Sequence, residues 1–521
     1  MSELIKIYNL LSEKEKKKAP LIFIFILLST LFEILSISLI IPLMSIIIEP
    51  NFLIENNIQV LELVKNVFGA SNLNYVLVTF FFIGILTKNI FLFFAIKKIY
   101  TFIFKNEKYI STKILHNYLS KPFSFFLNNN SSLLIHNVTQ EVWKLNDMLL
   151  NAFYLVVEIL IVSGIILLLI FSNIKTTLIL LFSIISITFI FYNLYKKKLT
   201  FYGKQKQLYE GFRIKLLNEI FGSIKDVIIR DKQKEFLEKF KNNYDKVLQS
   251  RIYQSVTKAL PKIWIELILV FSVSGILYFS LLTNLKLINH LPQIAFLAVC
   301  FIRLMPSFNR ILYSIQLISF SKATIDLISK EASDQFTHKL SEDYKKELIQ
   351  SISFNNNIVL KNLFFNYNEN SPVLKNINIT IKKNTLVAIT GKSGSGKSTL
   401  INIILGLLKN QKGSIEVDNR DIHKEKLVKS WQRKLGYVPQ SIFLNDDTIR
   451  KNIAFGIADD LIDEKKIDKS VKSSKVVEFL DNLPEKKNTI IGEKGSKLSG
   501  GQIQRIGIAR ALYIIQNIDF R

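Results

Sequence analysis

Six long apolar runs set the first constraint on this chain. The first covers residues 21–48, broken by Glu33, and the others cover residues 75–104, 151–172, 176–195, 263–282 and 292 to about 320. A helix of about 20 apolar residues spans the hydrocarbon of a bilayer. Inside lipid every backbone N–H and C=O needs a partner within the protein, so runs of this length are predicted as membrane helices. The first run is too long for the apolar stretch of a signal peptide, and no A-x-A site follows it, so a retained helix is expected.

The segments between the runs give the orientation. Residues 49–75 hold Lys65 against Glu49, Glu55 and Glu62. Residues 97–150 hold seven basic and three acidic residues, and residues 196–262 hold 17 basic and seven acidic. Long basic segments alternate with short or acidic ones. The positive-inside rule then places both termini, both long loops and the C-terminal half in the cytoplasm. The long segments read as helical extensions of the spans, as in residues 208–230, turned near Pro122 to Asn130 and near Gly222. Residues 57–68 are amphipathic and fit a helix lying on the outer surface or a short solvated helix.

The net charge of +26 is compatible with nucleic acid or an anionic membrane surface. The chain carries 57 Lys against 11 Arg, none before Arg213, the pattern of an AT-rich coding sequence. Most of the charge sits where membrane topology requires it, so nucleic acid is not expected as a partner. The single cysteine, Cys300, excludes an intramolecular disulfide.

After a polar stretch, residues 330–350, the pattern changes to alternating strands and turns, and an α/β domain is expected. Within it, residues 391–399 read GKSGSGKST and match G-x-x-x-x-G-K-[ST]. The strand-like run 385–390 precedes it and a helix-like run from Thr399 follows. Gly391, Ser393, Gly394, Ser395 and Gly396 would turn backbone N–H groups toward phosphate oxygens at a helix N-terminus. Lys397 would reach the outer phosphates, Ser398 would hold Mg²⁺, and Thr399 continues the cradle. A plain glycine-rich turn is the alternative, and the full match in its context outweighs it.

About 100 residues downstream lies LSGGQ, Leu498, Ser499, Gly500, Gly501 and Gln502. With the phosphate loop and the six runs, the chain resembles the ATP-binding-cassette exporters, in which membrane and ATPase domains are fused. That resemblance implies a six-helix all-α transmembrane domain, residues 1–335, followed by an α/β P-loop nucleotide-binding domain, residues 345–521. It implies ATP and Mg²⁺ as cofactors. It gives Tyr367 an adenine-stacking role and Gln440 a role in sensing Mg²⁺ and water. It places residues 446–456 and Glu493 toward the membrane domain. It implies that the Ser499 segment acts in trans on a second subunit's phosphate loop, which demands a dimer, either a homodimer or a heterodimer with an intact half-transporter.

Among such exporters the chain is most similar to bacterial lipid-linked-oligosaccharide flippases, in residues 33–42, 139–145, 260–266 and 303–311. Intramembrane charge is costly and usually functional. Arg303 and Arg310, seven residues apart on one helix face, resemble cavity residues that attract a lipid pyrophosphate. Lys262 falls where the type has a third arginine; lysine keeps the charge and loses the bidentate fork. The alternatives are a cytoplasmic-end anchor for Lys262, and ion pairs with Glu33, Glu158 or Glu266 for the arginines. Export of a peptide or drug is a further alternative within the family.

The resemblance also implies an apolar strand ending in Asp-Glu about 20 residues beyond Gln502, and a later histidine. All five histidines precede LSGGQ, and Asp519 is three residues early. The tail QNIDFR, read one nucleotide on, gives KILILDE. A frameshift shortly before Gln516 is one expectation; a deliberately shortened, hydrolysis-dead subunit is the other. Either way, the expectation is a nucleotide-binding domain truncated before that strand, with no ATP turnover by the 521-residue product alone.

Overall fold

The computed structural model describes residues 6, 8–38, 73–172, 174–282, 287–333, 351–367 and 372–515. The amphipathic stretch 57–68, most of the polar stretch 330–350, and the tail 516–521 lie outside the described residues. The chain forms two compact units: one of residues 1–120 and 129–335, the other of residues 121–128 and 336–521.

The first unit is helical. Its long helices are α1 (Ala19–Ser38), α2 (Leu73–Leu119), α5 (Val142–Ser172), α6 (Ile174–Gly222), α7 (Gln233–Leu282) and α8 (Leu287–Phe320). Shorter helices in it include α4 (Ser131–His136) and α9 (Lys322–Ser333), and α3 (Phe123–Asn128) belongs to the second unit. The extensions read from the sequence are continuous with their spans: residues 208–222 lie in α6, which stops at Gly222. By length and composition three helices among the described residues can cross a membrane, or up to four if the bent pair Ile302–Phe320 and Lys322–Ala332 counts as one.

Helix α1 explains itself by its two faces. Ile22, Ile26, Ser29, Thr30, Glu33, Ser36 and Ile37 are buried, at helical spacing. Leu21, Phe23, Ile24, Leu31 and Leu35 are exposed. The polar residues thus face the protein and the apolar ones face outward, as lipid requires. Ser29, Thr30 and Ser36 donate to carbonyls of their own helix at 2.7–2.8 Å, so their hydroxyls need no partner from outside it. Glycines set the closest approaches. A Cβ at Gly164 on α5 would lie 2.0 Å from Ile34 of α1, and one at Gly203 on α6 would lie 2.0 Å from the Phe320 carbonyl of α8.

Between α4 and α5 the backbone runs as a π-helix, Asn137–Glu141, ending on a fully buried carboxylate. Glu141 accepts from Gln207 of α6 at 2.8 Å, from Thr324 of α9 at 2.7 Å, and pairs with Lys144 at 2.6 Å. Lys144 also meets Glu210 of α6 at 2.6 Å, which in turn binds Arg251 of α7 at 3.0 Å. Buried charge is tolerable only when each lone pair is matched, and this chain of partners joins four helices.

The second unit holds a four-stranded antiparallel sheet of order β2-β1-β3-β4: β1 (Asn357–Asn366), β2 (Pro372–Lys382), β3 (Lys412–Val417) and β4 (Arg420–Asp421). Asp418 and Asn419 both have positive φ and make the tight β3–β4 turn. The Asp418 carboxylate also accepts the backbone N–H groups of Asn355, Asn356 and Asn357 at 2.5–3.0 Å. Leu360, Leu363, Leu400, Ile403, Ile415 and Trp431 pack on the sheet, and Phe123 of α3 joins them. The Trp431 indole donates to the Ile404 carbonyl at 2.8 Å, so its one polar atom is satisfied. A second core forms around α14 (Gly500–Ile515), where Ile506, Ala509 and Tyr513 pack against Leu444, Ile449, Ile467 and Phe479.

One expected strand is absent among the described residues. Residues 385–390 lie outside regular structure, with Leu386 fully exposed and Val387 and Ile389 partly so. No described strand pairs with this run, and an extended segment without a neighbour has nothing to bond its backbone groups.

Candidate functional site

The phosphate loop is built by backbone conformation. Gly391, Gly394 and Gly396 all have positive φ, at +153°, +80° and +89°. Side chains are strained there, and a Cβ on Gly396 would also sit 2.9 Å from Leu374 and 3.1 Å from Val373. Helix α10 (Lys397–Ile404) starts directly after Gly396. The Lys397 ammonium donates to the carbonyls of Gly391 and Lys392, both at 2.8 Å. It therefore sits across the mouth of the loop, with its charge held by dipoles that an anion can replace. Ser393, Ser395 and Ser398 belong to the same loop and helix start, and Ser398 is exposed. Thr399 is buried, and its hydroxyl lies 3.3 Å from the Tyr367 hydroxyl. Tyr367 is thereby held beside the loop with half its surface open and its edge on Phe365. Gln440 is exposed at the end of residues 436–440. A Cβ on Gly436 would clash with Ile515 and the Ala511 carbonyl, so this run lies against α14.

Ser499, Gly500, Gly501 and Gln502 open α14, after Leu498, which packs on the second core. Ser499 N donates to Gln502 Oε1 at 2.8 Å, and Gln502 N donates to Ser499 Oγ at 3.3 Å. This is a reciprocal capping box: two N–H groups that a helix leaves unmatched are satisfied by side chains three residues apart. The S-x-x-Q spacing carried that signal, and sequence reasoning assigned the residues a role in trans without reading their role as a cap. The two glycines expose backbone with no side chain in the way: a Cβ on either would meet nothing within 4 Å. Arg510 fixes the far end of α14, donating to the carbonyls of Asn452 and Phe443 at 2.8 and 3.0 Å.

The second feature is a cavity of about 760 Å³ in the helical unit. Lys262, Arg303 and Arg310 all line it, as do Lys88 and Lys258, which sequence reasoning missed. Lys88 was counted as part of a span, and Lys258 as part of a basic loop; only the packing of α2 and α7 brings them to one wall. Glu33 and Glu158 line the same cavity. The arginines are ion-paired, as the alternative reading held. Arg303 pairs closely with Glu33 and lies 3.9 Å from Glu158; Arg310 meets Glu158 at 2.7 Å. Lys88 lies 3.6 Å from Glu33. The Lys258 ammonium sits 4.0 Å over the Tyr313 ring. Glu266 does not line the cavity. Among the described residues, five cations against two carboxylates leave a formal surplus of three positive charges on the wall.

The family model described as "ABC transporter transmembrane region" matches residues 20–305, more than half of the chain, and the model described as "ABC transporter" matches residues 374–518. The chain belongs to the ABC transporters. Both matched regions lie in one chain, the transmembrane region before the nucleotide-binding one. It is 41% identical over 168 residues to an ATP-dependent lipid A-core flippase of Syntrophus aciditrophicus, covering 32% of this chain and 27% of that protein. It is 28% identical over 407 residues to the protein of that name from Wigglesworthia glossinidia brevipalpis, covering 77% and 68%. Heavy metal tolerance factor 1 of Caenorhabditis elegans is 44% identical over 155 residues, 30% of this chain and 19% of that protein. The fold is similar to that of a bacterial Atm1-family ABC exporter with ATP bound, with a TM-score of 0.69 at 16% identity, covering 96% of this chain and 84% of that one. The ABC family implies ATP. The glycine-built cradle and the Lys397 ammonium fit the phosphates of such a ligand.

Proposed function

We propose that this ABC exporter moves an anionic glycolipid, a lipid-linked oligosaccharide or a related phosphorylated amphiphile, outward across a bacterial cytoplasmic membrane. The observation that carries this reading is the cationic surplus of the cavity wall, with Lys262, Arg303 and Arg310 together on it. A neutral or cationic drug gains nothing from such a wall, whereas a pyrophosphate head group gains a bidentate partner at each arginine. The relatives named lipid A-core flippases support a glycolipid over a peptide.

In this reading the membrane domain comprises residues 1–335, crosses six times, and keeps both termini inside; the nucleotide-binding domain comprises residues 345–521. Two copies assemble as a homodimer. ATP binds with Tyr367 on the adenine, Gly391 to Thr399 around the phosphates, and Ser398 with Gln440 toward Mg²⁺. Leu498 to Gln502 of one copy close on the ATP of the other. Closing the two cassettes shifts the membrane helices between two packings, which is how ATP binding would move the cavity. Neutralising both arginines, Arg303→Gln with Arg310→Gln, should weaken binding of a polyprenyl-pyrophosphate glycolipid at least tenfold, about 1.4 kcal/mol, while ATP binding stays intact. Unchanged glycolipid affinity would remove the substrate assignment.

A further inference from the structure

The cavity carries carboxylates as well as cations, and their placement bears on how a head group would bind. Glu158 is fully buried and Glu33 nearly so. Both sit on the arginines that a phosphorylated ligand would need. Arg310 keeps more than half of its side chain open and Arg303 a quarter, so the guanidinium groups remain within reach from the cavity. Glu33 has a second cation in reach, Lys88 at 3.6 Å. Glu158 Oε2 accepts no hydrogen bond, and Ser314 Oγ and Asn309 Oδ1 on the same wall are buried and unpartnered. Unmatched buried polar atoms are costly, and here they belong to residues that line a cavity of ligand size.

We infer that Glu33 and Glu158 are resident counter-ions, which a lipid head group's phosphoryl oxygens replace on Arg303 and Arg310. This rests on the glycolipid reading above. Without a ligand, the buried Glu33 and Glu158 carboxylates are the anions that balance Arg303, a quarter open, and Arg310, more than half open. A phosphate arriving exchanges one anion for another on each arginine; Glu33 falls back on Lys88, and Glu158, whose cations are taken by the phosphate, takes up a proton. The exchange makes binding reversible: the cavity holds its ligand through the surplus of cations rather than through the full strength of every pair. It also sets specificity. A head group must bring enough negative charge to displace two carboxylates, so a pyrophosphate competes and a zwitterionic phospholipid does not.

The consequence runs opposite to that of a ligand-contacting residue. Removing a carboxylate leaves an arginine uncompensated in the empty protein, so the ligand should bind more tightly. The test uses the purified full chain in phosphatidylcholine nanodiscs, titrated with a fluorescent polyprenyl pyrophosphate. Glu158→Gln is expected to bind at least tenfold more tightly than wild type, about 1.4 kcal/mol, and Glu33→Gln to shift the same way by less, because Lys88 shares that carboxylate. Both variants should also begin to retain a monophosphate lipid that wild type rejects. Inorganic pyrophosphate is expected to bind more weakly than the lipid; equal affinity would overturn the assignment to a lipid head group. Should either glutamine variant fail to fold, infrared difference spectra of wild type on adding the lipid supply the answer, with carboxylate stretching bands expected to move. Wild-type binding that is lost in Arg310→Gln but unchanged or weaker in Glu158→Gln would overturn the counter-ion role and leave the glycolipid reading standing. No binding to wild type would overturn both.

Discussion

At the scale of single residues, the protein places charge where a ligand or a backbone can match it. Lys397 rests on two loop carbonyls, so its ammonium is oriented before any nucleotide arrives. Lys397→Ala should weaken ATP binding by roughly the 1.5–3 kcal/mol of a hydrogen bond to a charged group, about 10- to 150-fold, with the thermal midpoint nearly unchanged; equilibrium binding of a fluorescent ATP analogue checks this. Asp418 works on the backbone instead. Partial burial opposes its charge, and three N–H donors outweigh that, holding its carboxyl below the ordinary value. A carboxyl lowered in the folded state stabilises the protein above the unfolded pKa of about 3.9, and that stability is lost as pH falls through the lowered folded value. His423 acts earlier in pH. Burial, only partly offset by Asp421, holds its imidazole below the ordinary value, and Nε2 has no partner. The sign is again loss on acidification: stability contributed by neutral His423 is complete above the unfolded value of about 6.5 and declines below it. His423→Gln should therefore flatten the fall in unfolding midpoint between about pH 6.5 and 5, measured against wild type in buffers of matched ionic strength.

At the scale of elements, two close contacts make separable predictions. Gly203 lets α6 approach the Phe320 carbonyl of α8, and any side chain there collides with backbone that cannot yield. Gly203→Leu should destabilise the helical unit by more than about 3 kcal/mol, as severe overpacking does, seen as a lowered midpoint in detergent. The capping box of α14 uses Ser499, which is also the residue expected to meet a partner's nucleotide. Ser499→Ala should cost about 1 kcal/mol of stability. Ser499→Asp should keep the cap, because aspartate is as good an N-cap, yet abolish ATP-dependent association by setting a carboxylate against the γ-phosphate. Cross-linking yield with and without ATP distinguishes the two.

The same elements mark what could be read beforehand. The glycines and lysine of the phosphate loop were legible because a fixed spacing encodes one backbone shape. The long helices and their cytoplasmic extensions were legible because their apolar and basic runs are continuous. Lys88 and Lys258 were not, since nothing in their local sequence separates them from ordinary basic residues; the cavity wall exists only once α2, α7 and α8 pack. The Glu141–Lys144–Glu210–Arg251 chain escaped notice for the same reason: its members come from three helices, and charge in a basic loop reads as topology. Residues 385–390 were expected as a strand from propensity alone, and propensity does not supply a neighbour.

At the scale of the whole molecule, the proposed function has one closing motion serve the nucleotide loop of one unit and the cationic cavity of the other. Under that proposal binding at the two sites is linked, and linkage is reciprocal. The most direct measurement is the affinity of the wild-type chain in nanodiscs for a polyprenyl-pyrophosphate glycolipid, with and without Mg²⁺ and ATP. ATP is expected to lower that affinity by at least about fivefold, the lower end of ordinary allosteric coupling, and Lys397→Ala to raise the ATP concentration at which the effect appears about 10- to 150-fold while leaving the ATP-free affinity unchanged. Glycolipid affinity that is the same with and without ATP, or a shift that appears at the same ATP concentration in Lys397→Ala, would contradict the proposed coupling.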